Sequence, residues 1–132
     1  NLIDLARKAQ YNGKAAVEDP LLRDRIMRQL IRETALEENQ RRTRVPALLE
    51  HPARLQLQNK LLRSEIAQET SALALEVAGA SASLYLGDQN APAAGQWPLA
   101  YMSTYGNTIA AGTSEVQRNI LGERVLGLPK SK

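Results

Sequence analysis

The run Thr108-Ile109-Ala110-Ala111-Gly112-Thr113-Ser114-Glu115-Val116-Gln117-Arg118-Asn119-Ile120-Leu121-Gly122-Glu123-Arg124-Val125-Leu126-Gly127-Leu128-Pro129 decides how the rest of the chain is read. It reads as a helix with a marked entrance, from about residue 113 to 126. Gly112 permits backbone that a residue with a Cβ resists. Thr113 and Ser114 can each accept from the first free N–H groups of a helix, and Ser114 with Gln117 has capping-box spacing. Val116, Ile120, Leu121 and Val125 form an apolar face. Gly127 and Pro129 end the helix. Such an entrance also presents free N–H groups and the positive end of a dipole, which suit a phosphate or a polarised carbonyl. On local chemistry alone the plainer reading is a well-capped structural helix.

Working outward, Trp97-Pro98 opens a shorter helix through about Ile109, with Leu99, Met102 and Tyr105 facing inward. Residues 87–96 are a loop by composition, and residues 80–86 extend as a helical turn. A long helix is expected from about 55 to 78. Leu62, Ile66, Leu73 and Val77 form its core side, widened by Leu61, Ala72 and Ala74, and Gly79 stops it. Val45 to Arg54 carries two prolines and reads as a turn between antiparallel helices, with Leu48 and Leu49 tucked in. Asp19-Pro20 starts another long helix running to about Arg44. Leu22, Ile26, Leu30, Ala35, Met27 and Ile31 are its expected buried side. The first ten residues read as the tail of an uncapped amphipathic helix, with Leu2, Leu5, Ala6 and Ala9 on one face, ended by Tyr11-Asn12-Gly13. No strand signal stands out. The expected fold class is all-α, an up-down helical bundle with its first helix truncated: one helical domain over residues 1–132, a piece of a longer protein. Its uncovered apolar surface predicts dimerisation or higher association.

Composition narrows the chemistry. With 132 residues, one compact domain is the natural size. No cysteine is present, so thiol catalysis and Cys-based metal sites are excluded. A lone His51 beside Pro52 argues against a zinc centre or a Ser-His-Asp site. Net charge is +3 from 17 basic and 14 acidic residues, well interspersed. Arg41, Arg42 and Arg44 form the dense basic cluster, without the interleaved aromatics that nucleic-acid binding favours. No apolar run approaches the roughly 20 residues of a membrane span. Asn1 to Lys8 lacks the pattern of a signal peptide, and the expected location is cytoplasmic.

The segments Gly112-Thr113-Ser114-Glu115-Val116-Gln117-Arg118 and Glu123-Arg124-Val125-Leu126-Gly127-Leu128-Pro129 resemble the last helix of acyl-CoA dehydrogenases. The remainder is similar, more loosely, to the C-terminal helical domain of that family. Asp19-Pro20-Leu21-Leu22-Arg23 resembles the same branch. The resemblance implies an FAD-dependent oxidoreductase. A carboxylate takes the α proton of an acyl-CoA thioester, the β hydride passes to FAD, and a carbon–carbon double bond forms. It also implies a homo- or hetero-oligomer with flavin at a subunit interface. Thr113, Ser114 and Glu115 match flavin-contacting positions, and Gly112 matches the glycine beside the thioester. Glu115 stands where many members carry Gln.

Ala111 departs from the family, since many members carry the catalytic Glu there. A methyl group cannot act as a base, so no catalytic residue is assigned within this chain. Either the base lies on an earlier helix, or the chain belongs to a non-catalytic partner subunit. Val77-Ala78-Gly79-Ala80-Ser81-Ala82 keeps one glycine of the family's glycine-rich turn, and no flavin contact is assigned there. The residues alone also admit a helical protein-interaction module. The chain by itself is expected to be inactive and not to retain FAD.

Overall fold

The computed structural model describes residues 1–50 and 55–130. Five α-helices are present among them: α1 (Leu2–Lys8), α2 (Pro20–Arg42), α3 (Leu55–Ala78), α4 (Gln96–Ile109) and α5 (Ser114–Arg124). The up-down order of α2 to α5 follows from their contacts. Along α2 and α3 the pairs Arg25–Glu76, Gln29–Thr70 and Arg32–Glu69 run in opposite senses, so these helices are antiparallel. Lys60–Gly112 and Arg118–Glu65 advance together, so α5 runs with α3. Helix α3 packs against each of the other four.

The main core sits where α1, the start of α2 and the end of α3 converge. Leu2, Leu5, Ala6, Ala16, Leu22, Ile26, Leu73, Ala74, Val77 and Ala78 form it. Small residues on α3 let its neighbours approach closely, and each buried leucine contributes about 1.5–3 kcal/mol. Leu61 and Ile66 are buried as expected, while Leu62 is half-buried and Ala72 exposed.

Several local expectations change. Helix α1 is capped: Asn1 Oδ1 accepts from the Asp4 N–H at 3.0 Å, and the Asp4 carboxylate accepts back from the Asn1 backbone nitrogen at 3.5 Å. Asn12-Gly13 does more than end this helix. It turns a minimal antiparallel hairpin, β1 (Gln10–Tyr11) and β2 (Lys14–Ala15), with φ of 51° and 77° at the two turn residues. Those angles match the Asn-Gly turn that suits the twist of paired strands. Two-residue strands are too short for alternation to show in a sequence.

On α2 the buried residues are Leu22, Ile26, Gln29 and Leu36, with Leu30 half-buried. Met27, Ile31 and Ala35 face outward, Ile31 with 65% of its surface exposed. The apolar stripe is wide enough to have two edges, and α3 covers one. A polar residue marks the covered edge: Gln29 Nε2 donates to Ile66 O at 2.9 Å and to Thr70 Oγ1 at 2.8 Å. Leu48 is half-buried and Leu49 exposed. The expectations for His51 to Arg54 lie outside the described residues. On α4, Leu99 is half-buried and Thr104 buried, but Met102 and Tyr105 are exposed. The Tyr105 hydroxyl pairs with that of Tyr101 at 2.7 Å.

Residues 79–95 are a short 3-10 turn (Gly79–Ser83) and a loop that ends in a left-handed turn at Ala93 and Ala94, returning the chain from α3 to α4. Gly95 is required there. Its φ is 75°, and a Cβ would lie 2.5 Å from the backbone of Tyr85 and Leu86.

Candidate functional site at the turn between α4 and α5

Helix α4 ends at Ile109, and the chain reverses through Ala110, Ala111, Gly112 and Thr113. Both central residues are left-handed, Ala111 at φ 54° and Gly112 at φ 93°. A left-handed alanine costs about 1–2 kcal/mol, so the surroundings must hold it. They do so through two consecutive carbonyls. Gln117 Nε2 donates to Ala111 O at 3.0 Å, and Lys60 Nζ, reaching from α3, donates to Gly112 O at 2.6 Å. Gly112 also makes room for this arrangement, since a Cβ there would sit 2.9 Å from Gln117 Nε2.

Thr113 is the N-cap of α5: its Oγ1 accepts from the Val116 N–H at 3.3 Å. The expected capping box of Ser114 with Gln117 is therefore not formed. Ser114 is the first helical residue and is buried, while Gln117 is spent on the Ala111 carbonyl. The Glu115 carboxylate folds onto its own backbone N–H and accepts from the Thr113 hydroxyl. These bonds, with a smaller contribution from the Arg118 charge, hold it below the usual glutamate range against a modest opposing effect of burial. Arg118 is anchored elsewhere as well, to Glu65 on α3 at 2.5 Å. The apolar face of α5 is only partly covered: Ile120, Leu121 and Val125 are half-buried and Val116 is exposed.

Beside this turn lies a cavity of about 610 Å³ lined by Asn59, Lys60, Arg63, Ser64, Asn107, Ala110 and Ala111. Among the described residues its lining carries two cations and no carboxylate or imidazole. Asn59 Oδ1 is buried there with no hydrogen-bond donor among the described residues. The described lining therefore suits an electron-rich ligand and, among those residues, offers no carboxylate as a proton acceptor. Glu115 does not fill that role, because a lowered pKa makes a carboxylate a weaker base.

The structure brings all four candidate residues, Gly112, Thr113, Ser114 and Glu115, into one helix entrance next to Ala111. It also adds two that the sequence reading did not assign, Lys60 and Gln117. The Thr113 hydroxyl already serves Val116 and Glu115, so the donors left at the entrance are backbone N–H groups. Those can donate to a neutral carbonyl oxygen. A phosphate fits less well, because the Glu115 carboxylate already lies on the helix entrance.

Residues 1–126 match the family described as "Acyl-CoA dehydrogenase, C-terminal domain". Two relatives carry the name acyl-CoA dehydrogenase IpdE1. The one from Mycobacterium tuberculosis is 33% identical over 130 residues, covering 98% of this chain and 31% of the relative. The one from Mycolicibacterium smegmatis is 31% identical over 131 residues, covering 98% and 30%. Among solved structures, the ChsE4-ChsE5 complex from Mycobacterium tuberculosis aligns with a TM-score of 0.83 at 24% identity, over 98% of this chain and 34% of that one. The Tcur3481-Tcur3483 steroid ACAD aligns at 0.81 and 21% identity, over 98% and 33%. This chain belongs to the acyl-CoA dehydrogenase family and carries its C-terminal helical domain. It spans just under a third of the length of the curated relatives it matches.

Proposed function

We propose that this chain is the C-terminal domain of a longer FAD-dependent acyl-CoA dehydrogenase, acting in α,β-dehydrogenation of an acyl-CoA thioester. The observation that carries the reading is the α5 entrance. It combines the family's G-T-S run, a left-handed turn and unoccupied backbone donors beside a cationic cavity. FAD, when bound, would accept the β hydride. This chain's part is to offer Gly112 beside the thioester and Thr113, Ser114 and Glu115 to the flavin, mainly through backbone N–H groups. On this reading the base lies outside this chain, since Ala111 stands where many members carry the catalytic Glu and a methyl group cannot act as a base. Alone, the chain binds too few of the cofactor's groups to retain it.

A second reading is favoured by the same alanine. The chain belongs to a non-catalytic subunit that completes a flavin site in a hetero-oligomer. The paired names of the two structural relatives are in keeping with that assembly. Anaerobic flavin reduction by a panel of acyl-CoA thioesters, with the full-length parent expressed alone, separates the two. Bleaching of the flavin band means that the parent carries its own base. Bound flavin without bleaching supports the partner-subunit reading. A parent without flavin, alone and with every candidate partner, overturns both.

A further inference from the structure

The turn between α4 and α5 is held by side chains that take no part in the helix entrance itself. Lys60 and Gln117 each donate to one of two consecutive carbonyls, Gly112 O and Ala111 O. No peptide bond among the described residues is cis. In a trans peptide the N–H points opposite to the C=O of the same plane. Tying the Ala111 carbonyl to Gln117 therefore turns the Gly112 N–H to the other side. Tying the Gly112 carbonyl to Lys60 does the same for the Thr113 N–H. Neither N–H finds an acceptor among the described residues.

We infer that Lys60 and Gln117 are positioning residues: they fix two successive peptide planes so that the Gly112 and Thr113 N–H groups are aimed before any ligand arrives. This rests on the reading that a flavin or thioester carbonyl lies at the α5 entrance. Lys60 is suited to the task because an ammonium–carbonyl bond is charge-assisted and stronger than a neutral one. Its half-buried stem along α3 restricts where the head can go. Gln117 is suited because its amide donates, which a glutamate in its place could not do. Donors fixed in advance need no reorganisation when charge develops on an oxygen, and that is the largest benefit such groups offer.

The test separates the geometry from the ligand. The chain is labelled with 15N-glycine and 15N-threonine and compared with its Lys60→Met, Lys60→Arg and Gln117→Glu variants. Loss of either tie should shift and broaden the Gly112 and Thr113 amide resonances, with Lys60→Arg restoring them and other glycine signals unmoved. In the full-length, flavin-loaded parent, Lys60→Met should weaken flavin retention about tenfold, the scale of one lost hydrogen bond, with only a small fall in melting temperature from the loosened turn. Lys60→Arg should recover most of it. Amides that stay in place in both Lys60→Met and Gln117→Glu overturn the inference. So does a general loss of dispersion and melting temperature that Lys60→Arg fails to reverse, which would mark a merely structural role. Should Lys60→Met not fold, Gln117→Glu tests the same peptide planes. Shifted amides beside a parent that binds no flavin would uphold the geometry and sink the flavin reading.

Discussion

Gly112 shows how one position can serve both backbone and site. Its φ of 93° is left-handed, and the space where a Cβ would stand is taken by the amide of Gln117. Gly112→Ala should destabilise the chain by about 1–3 kcal/mol, from left-handed strain and the displaced amide. Chemical denaturation would show this, and an unchanged midpoint would mean that the turn is looser than described. Glu115 makes a prediction of different sign. Its folded-state pKa is depressed, so its bonds help the fold above the ordinary glutamate pKa and are lost as pH falls through the folded value. Glu115→Gln should therefore cost some stability at neutral pH and almost none in strongly acid solution. Equal costs at both ends of a pH series of melts would contradict that. Gly112, Thr113 and Ser114 were legible as a helix entrance from residue type and order alone. Lys60 was not, because its bond to Gly112 spans 52 residues of sequence.

At the scale of elements, α2 and α3 are joined by polar contacts of unequal weight. The Arg25–Glu76 and Arg32–Glu69 pairs are about half exposed, and such pairs contribute about 0–1 kcal/mol each. Gln29 is buried and satisfies both Ile66 O and Thr70 Oγ1. Gln29→Ala should cost about 1–3 kcal/mol, more than Arg25→Ala or Arg32→Ala, because it removes two hydrogen bonds that a buried side chain makes from α2 to α3. Urea denaturation of the three variants would rank them, and Arg32→Ala exceeding Gln29→Ala would reverse the argument. Helix boundaries were the most legible feature at this scale. Asp19 caps α2 through Leu21 N and Leu22 N, and Gly79, with φ 57°, follows the last residue of α3. The choice of face on α2 was less legible. Met27, Ile31 and Ala35 repeat with the same helical period as Leu22, Ile26 and Leu30. Only the placement of α3, and a buried glutamine that looks polar in the sequence, decides between them.

The whole molecule leaves much of its apolar surface uncovered. Leu21, Met27 and Ile31 on α2 are exposed, and Ile109, Val116, Leu126 and Leu128 are exposed around α5. Surface of this kind marks interaction sites. The chain should sediment as a dimer or larger at micromolar concentration. Ile31→Asp should shift it toward monomer without lowering its melting temperature appreciably, since 65% of that residue's surface is already exposed. A monomer at every concentration would refute the expectation.

The central place of α3 also has a consequence in time. Every other helix leans on it, so its middle amides can reach solvent only when the domain opens as a whole. Deuterium uptake should thus be slowest along the middle of α3 and should report there the free energy of global opening. The turn at Ala111–Gly112, tied to α3 by Lys60, should exchange more slowly than its exposure suggests. A ligand seated at that turn would slow uptake there and on α3 together, although the two are far apart in sequence.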